Sequence, residues 1–238
     1  EKLSQVNAGF DAVLLNNKLS LNLDYFIKDT RDVLTPMRIL MVTGNSGGNP
    51  VVNAASLRNT GVEVSATWRD RIGRDFGYDI NVNGSYIKNE ILELGYGRKE
   101  FTQWNTKSKV GEPIGEWYLI KTDGLFRTQE EVTAHTNSEG RVIQPNARPG
   151  DVRFIDFNDD GVITDADRQH SGSTIPKFQL GMNLGFDYKN FDLQFQLGGA
   201  FGHKSFNGPR SAFDRFDDNS NYRASYDPWT PDNPNAKD

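Results

Sequence analysis

The stretch FQLGMNLGFDYKNFDLQFQLGGAF, from Phe178 to Phe201, alternates almost without a break between apolar and polar or small residues. A two-residue period places successive side chains on opposite faces of an extended strand. Phe178, Leu180, Met182, Leu184, Phe186 and Tyr188 therefore share one face, and Gln179, Gly181, Asn183, Gly185 and Asp187 the other. After Lys189-Asn190 the pattern restarts, with Phe191, Leu193, Phe195, Leu197, Gly199 and Phe201 against Asp192, Gln194, Gln196, Gly198 and Ala200. A two-residue turn at Lys189-Asn190 pairs residues whose numbers sum to 379, so Leu184 faces Phe195 and Met182 faces Leu197. The same register sets Asp187 against Asp192, a like-charge pair that is mildly unfavourable.

Working outward, the same alternation recurs at Leu19–Ile27, Val62–Trp68 and Tyr78–Tyr86, and more weakly at Val6–Leu14, where Val13 and Leu15 interrupt the polar face. None of these apolar faces carries a charge, while the opposite faces hold Asp, Asn, Gln, Ser and Gly. That is the pattern of strands with lipid on one side and a wet lumen on the other. A soluble sandwich also alternates, but its strands usually run about five or six residues, whereas the clearest runs here reach about ten, the length of a tilted membrane strand. Aromatic residues gather at strand ends (Tyr25, Trp68, Tyr78, Tyr86, Tyr188, Phe201), as in membrane girdles. The connections at Asn16–Lys18, Asp70–Phe76 and Lys189-Asn190 are short and the others long, matching tight periplasmic turns and long extracellular loops.

The expectation is an all-β, antiparallel transmembrane barrel segment of at least six strands. Hairpins are expected near 4–28, 61–87 and 178–202, with extracellular loops near 30–60, 88–177 and 203–238. Leu21, Val64, Ile80, Leu184 and Leu193 should form one outer band, with Asn22, Glu63, Asn81, Asn183 and Gln194 behind it. Within the longest loop, Pro113–Phe126 reads as a further strand and Thr128–Thr133 as the start of a short helix; Asn45–Pro50 reads as a flexible loop tip.

Composition removes several alternatives. Among 238 residues, 27 basic and 32 acidic side chains give net charge −5 without a long basic run, so the footprint of a nucleic-acid binder is absent. No cysteine is present, which excludes disulfides and thiolate metal sites. No stretch reaches the roughly 18–20 apolar residues of a membrane helix; Val33–Val42 is short and carries Pro36 and Arg38. The chain starts at Glu1 without an initiator Met or signal peptide and stops in a loop-like Pro231–Pro234, so both ends read as cut.

Six segments, Asn7–Leu23, Leu57–Val64, Val110–Phe126 (VGEPIGEWYLIKTDGLF), Pro149–Asp167 (PGDVRFIDFNDDGVITDAD), Pro176–Leu184 and Trp229–Asn235 (WTPDNPN), resemble in order the SusC/RagA family of TonB-linked outer-membrane transporters. The resemblance implies a barrel of about 22 strands, nutrient import and no catalysis. Its implied partners are a SusD-like surface lipoprotein, the TonB–ExbB–ExbD energy-coupling system, outer-membrane lipid and a glycan or peptide substrate. The plug domain and TonB box would lie outside these residues, and six strands are too few to close, since the smallest membrane barrels use eight.

Asp156–Asp167 (DFNDDGVITDAD) nearly matches a twelve-residue calcium loop. Asp156, Asn158, Asp160, Thr164 and Asp167 stand at the oxygen-bearing positions, Val162 supplies a carbonyl and Gly161 the sharp turn. Asp167 is a shorter arm than the usual Glu, and a solvated Asp/Asn/Gly turn is the competing reading. A secreted, calcium-binding β-rich module is the alternative function this loop keeps open. His135, His170 and His203 have no metal or catalytic spacing, and no carboxylate pair stands in a context that raises a pKa. Trp104, Trp117, Tyr118 and Trp229 could stack on sugar rings, though packing explains each as well.

Overall fold

A strand alternating apolar and polar residues must find neighbours whose faces match its own, and six strands of this chain do so in one antiparallel sheet. The computed structural model describes residues 1–36, 42, 44, 50–214 and 224–236; the expected loop tip, except Pro50, lies outside them. The elements are β1 (Lys2–Leu14), β2 (Leu19–Pro36), β3 (Val51–Ile72), β4 (Phe76–Glu93), β5 (Glu100–Gln103), β6 (Thr106–Lys109), β7 (Glu116–Ile120), β8 (Thr122–Leu125), helix α1 (Gln129–Ala134), β9 (Val152–Phe154), β10 (Arg168–Gly172), β11 (Phe178–Tyr188), β12 (Phe191–Phe201) and helix α2 (Gly208–Phe213). They fall into two units, Glu1–Glu116 with Gly172–Lys204, and Trp117–Ser171 with Ser205–Asp238.

In the first unit the sheet order is β1-β2-β3-β4-β11-β12, leaving β1 and β12 as open edges. The β11–β12 register is the expected one, from Tyr188 opposite Phe191 to Phe178 opposite Phe201. Asp187 does face Asp192, and the repulsion has an answer on β3: Arg71 Nη2 lies 2.9 Å from Asp187 Oδ2. The ladders carry single rows of side chains across all six strands. Leu14, Leu19, Trp68, Ile80, Leu184 and Phe195 form one; Ala12, Leu21, Ala66, Val82, Met182 and Leu197 form the next. On the other face run Asp11, Asn22, Ser65, Asn83, Gly181 and Gly198, then Gly9, Asp24, Glu63, Ser85, Gln179 and Ala200. The two expected sets of residues thus occupy opposite sides.

The apolar side is uncovered. Leu180 on β11 and Val64 on β3, both inner strands, keep 54% and 47% of their surface exposed, which a sandwich core would not allow. From Phe178 to Tyr188 the band spans ten residue steps, about 33 Å along the strand at about 3.3 Å per residue. At a tilt of about 40° that is about 25 Å of height, the lipid-facing band of a membrane barrel. Aromatic rows bound it, with Tyr25, Tyr86, Phe178 and Phe201 at one end and Phe76, Tyr188 and Phe191 at the other. The Trp68 indole donates to the Tyr78 hydroxyl at 3.2 Å, so the polar tips of this pair satisfy each other.

Three strands run past the segments that alternation marked. β2 continues to Pro36, β3 begins at Val51 and β4 reaches Glu93, so residues assigned to loops near 30–60 and after 87 are partly strand. Outside the band neither face meets lipid, and the two-residue pattern fades because nothing selects for it. Ala55, Ile91 and Leu94 make the buried cluster of this extension. It is tied in where the Ile91 N–H donates to the Glu112 carbonyl (3.0 Å) and Asn89 Oδ1 accepts from the Ile114 N–H (2.9 Å).

The second unit pairs β7 with β10 and β8 with β9 around Phe126, Val132, Ile143 and Ala236. The expected strand at 113–126 is broken into β7 and β8. The expected helix is α1, its N-terminus capped by Thr128, whose hydroxyl accepts from the Glu131 N–H.

Candidate functional site

Two places hold the groups from which a function can be built. The first is the polar face of the large sheet. Asn22, Asp24, Glu63, Ser65, Asn83, Ser85 and Gln179 line a recess of about 660 Å³ there. Asn81 organises the adjoining rows: its Nδ2 donates to Thr67 Oγ1 (2.7 Å), and its Oδ1 accepts from Asn83 (3.3 Å) and Asn183 (3.4 Å). Glycines on this face leave room for a neighbour's side chain to lie flat across the backbone. A Cβ on Gly185 would strike the Asp79 carboxylate, and one on Gly9 the Asp24 carboxylate. The result is a wall of amides, hydroxyls and carboxylates able to exchange hydrogen bonds with a passing polar solute. Sequence reasoning placed these residues on the wet face without singling out the recess, which exists only once the five strands β2, β3, β4, β11 and β12 are in register.

The second place is the Asp156–Asp167 loop between β9 and β10. Asp156 Oδ2 accepts from the Gly161 N–H at 2.7 Å, and Gly161 has φ +77°, a conformation glycine adopts freely. The other oxygen, Asp156 Oδ1, is buried and has no hydrogen-bond partner. Asn158 and Asp160 bond to each other (Nδ2 to Oδ2, 2.9 Å), and Asp160 Oδ1 accepts from the Val162 N–H (2.9 Å). Thr164 turns its hydroxyl to cap the short helical turn Asp165–Asp167, accepting from the Ala166 N–H. Asp167 is fully buried, and its carboxylate accepts from the N–H groups of Thr164 (2.7 Å) and Phe157 (3.0 Å).

A residue that the calcium pattern passes over fastens the loop. Asp159, at φ +61°, accepts from both the N–H and the hydroxyl of Ser138, while its carbonyl accepts from Asn137 Nδ2 (3.2 Å). The turn-forming run Asn137-Ser138-Glu139-Gly140 was the available signal. The Ser138 hydroxyl and then its amide hold the Asp159 carboxyl below the usual range. Burial pushes Asp167 up, but the amides of Thr164, Phe157 and Asn158 outweigh it and lower that carboxyl too. Depressed carboxyls stabilise the loop fully above the ordinary aspartate value of 3.8, and the contribution fades as pH falls through their lowered values. Pepsin nicking within 156–167, taken relative to cleavage of an unstructured reference peptide at the same pH, is therefore expected to stay flat down to about pH 4 and rise below it. A rise already complete at higher pH would contradict this.

Three of the resembling segments meet in this second unit. The Phe126 N–H donates to the Asp151 carbonyl (2.9 Å), and the Gly150 N–H returns a bond to Phe126 (2.7 Å). Arg127 Nη1 donates to the Pro234 carbonyl and Asn235 Oδ1, both at 2.9 Å, and the Trp229 ring packs against Gly150. Trp229 is thus a packing residue, whereas Trp104 stands 63% exposed. His135 bonds the Phe154 carbonyl (3.0 Å) and meets the Phe126 ring edge-on, His170 lies edge-on to Tyr118, and His203 belongs to the other unit.

The family described as "TonB dependent receptor-like, beta-barrel" matches residues 1–230. TonB-dependent receptor P3 of Formosa agariphila is 29% identical over 87% of this chain and 21% of its own length. TonB-dependent receptor SusC of Bacteroides thetaiotaomicron is 27% identical over 83% and 19%. A solved structure of the RagAB peptide transporter superposes with a TM-score of 0.75 at 20% identity, covering 99% of this chain and 25% of that one, which establishes the shared fold. The chain spans about a fifth to a quarter of the length of these relatives.

Proposed function

Since the chain belongs to the TonB dependent receptor-like β-barrel family and forms part of an outer-membrane barrel wall, we propose that it serves energised import of an oligosaccharide or a peptide. The observation that carries this reading is the two-sided sheet: an uncovered apolar band faces lipid while a hydrogen-bonding face lines the path of the solute. The substrate undergoes no chemistry; the wall offers it successive weak polar contacts. The chain leaves and re-enters the sheet through its long connections at the end opposite the tight turns, so those segments are the extracellular ones. They meet the substrate and a SusD-like lipoprotein, and TonB supplies the energy from the periplasmic side. The likeness to TonB-dependent receptor SusC and to the RagAB peptide transporter supports an importer. The test is growth of the parent bacterium on single glycans or peptides, with the gene intact, deleted, or uncoupled from TonB. Unchanged growth on every such nutrient would sink the importer reading.

For the Asp156 loop we propose a calcium ion as a structural fastener, held by Asp156, Asn158, Asp160, Asp167 and the Val162 carbonyl, with Thr164 acting directly or through water. The partnerless, buried Asp156 Oδ1 supports this, because it is an acceptor with nothing to accept. Calcium added to the complete transporter is expected to slow proteolysis of residues 156–167, and Asp156→Ala to abolish that protection. Equal cleavage with calcium and with chelator would reduce the loop to a turn.

A further inference from the structure

Phe26 stands on the wet side of the sheet. It shares the strand parity of Ser20, Asn22 and Asp24 on β2, and among the described residues it is the one aromatic on the lumenal side of the six strands. β2 lies inside the sheet, with β1 and β3 on either side, so this position is not an edge of the structure. The ladder sets Phe26 between Asn7 and Gly61, with Ile87 beyond Gly61. A Cβ on Gly61 would come 2.5 Å from Phe26 Cζ and 2.7 Å from the Tyr86 carbonyl oxygen, so the ring lies over bare backbone. It is half-buried there, with its other side left to the lumen.

The polar recess begins one row below. Asp24 and Glu63, directly opposite each other, are two residues from Phe26 and Gly61, about 6.6 Å along each strand at about 3.3 Å per residue. Neither carboxylate is ion-paired among the described residues, and Asp24 leans over Gly9, away from Glu63. Asn22, Ser85 and Gln179 line the same recess. An apolar ring is thus set beside carboxylate acceptors and beside amide and hydroxyl groups that both donate and accept.

We infer that Phe26 is a stacking platform for one pyranose ring of a neutral oligosaccharide, and so a specificity-determining residue of the import path. A sugar ring has an apolar C–H face and a rim of hydroxyls, and the wall presents partners for both side by side. Hydroxyls can donate to the opposed carboxylates without bringing a charge, and each such bond is charge-assisted. An extended peptide would instead need a free strand edge for its backbone, and β1 and β3 already take both edges of β2. The inference rests on the importer reading, which makes this face the path of the solute. Aromatic–glycine pairs across strands also steady a sheet, but that role shows in assembly and not in affinity.

The experiment uses the complete transporter in mild non-ionic detergent and measures binding of malto-, cello-, laminari- and xylohexaose, and of a hexapeptide library, by calorimetry. The variants are Phe26→Leu, which keeps apolar bulk without a ring, and Phe26→Tyr, which keeps the ring. Wild type and Phe26→Tyr are expected to bind one of these sugars alike, and Phe26→Leu to bind it about three- to tenfold more weakly. Heat-modifiable mobility, which scores assembly, should be the same in each. Equal affinity of Phe26→Leu and wild type, binding of none of these sugars, or ring-dependent binding of peptides in their place overturns the proposal. Loss of assembly in Phe26→Leu makes the ring a folding residue and overturns it too. Growth separates this inference from the importer reading. If deleting the gene leaves growth on every nutrient unchanged while sugar binding still depends on the ring, the importer reading fails and the platform stands.

Discussion

Arginine at Leu184 is expected to cost about 2–4 kcal/mol of barrel stability, while arginine at the adjacent Asn183 is tolerated. Leu184 lies in the row Leu14–Leu19–Trp68–Ile80–Leu184–Phe195, in the middle third of the band and so near the bilayer midplane. A guanidinium there must shed water or drag it into hydrocarbon, and no acid stands in that row to receive it. Asn183 points the other way, between Asn81 and Gln196, where water and amides can solvate a charge. The measurement is assembly of the complete transporter, read as heat-modifiable mobility, together with nutrient uptake for each variant. Equal tolerance at the two positions would mean that the apolar face does not meet lipid.

The second large effect is expected for Asp167→Ala. Removing that carboxylate leaves the N–H groups of Phe157 and Thr164 without their acceptor in a buried place, at about 1–3 kcal/mol for each unsatisfied donor. The Asp156–Asp167 loop should open, seen as rapid proteolysis within it even when calcium is present. Asp165→Ala is the control, because its carboxylate is 87% exposed and its pairing with Arg168 is a surface ion pair of little net worth. If both variants resist protease like the wild type, Asp167 does not hold the loop together.

Much of the fold was legible because lipid imposes a strict rule. Each strand crossing the band must show one apolar face, so the hairpin Phe178–Phe201 could be read down to its register from alternation and a two-residue turn. The same rule explains what was missed. Above the band, β2, β3 and β4 continue through Asp29–Arg58–Glu90 and Asn59–Asn89, where polar groups occupy both faces and the period disappears. The calcium-like spacing of Asp156–Asp167 was visible, but the fastening of Asp159 by Ser138 joins segments 21 residues apart and left no local trace beyond turn-forming composition.

By itself, then, the sequence determined which residues face lipid, which face the lumen and where the tight turns fall, because these follow from a period of two acting within single strands. Only the tertiary structure decided which strands are neighbours. Placing β4 beside β11 across the long intervening segment creates the six-strand rows, the polar recess around Asp24 and Glu63, and the meeting of Arg71 with Asp187. It also decided that Phe26 lies over Gly61 beside the polar recess. Those juxtapositions depend on pairing between strands, which the pattern of one strand cannot specify, since any strand with one apolar face fits beside any other until side chains of particular size and charge are set opposite each other.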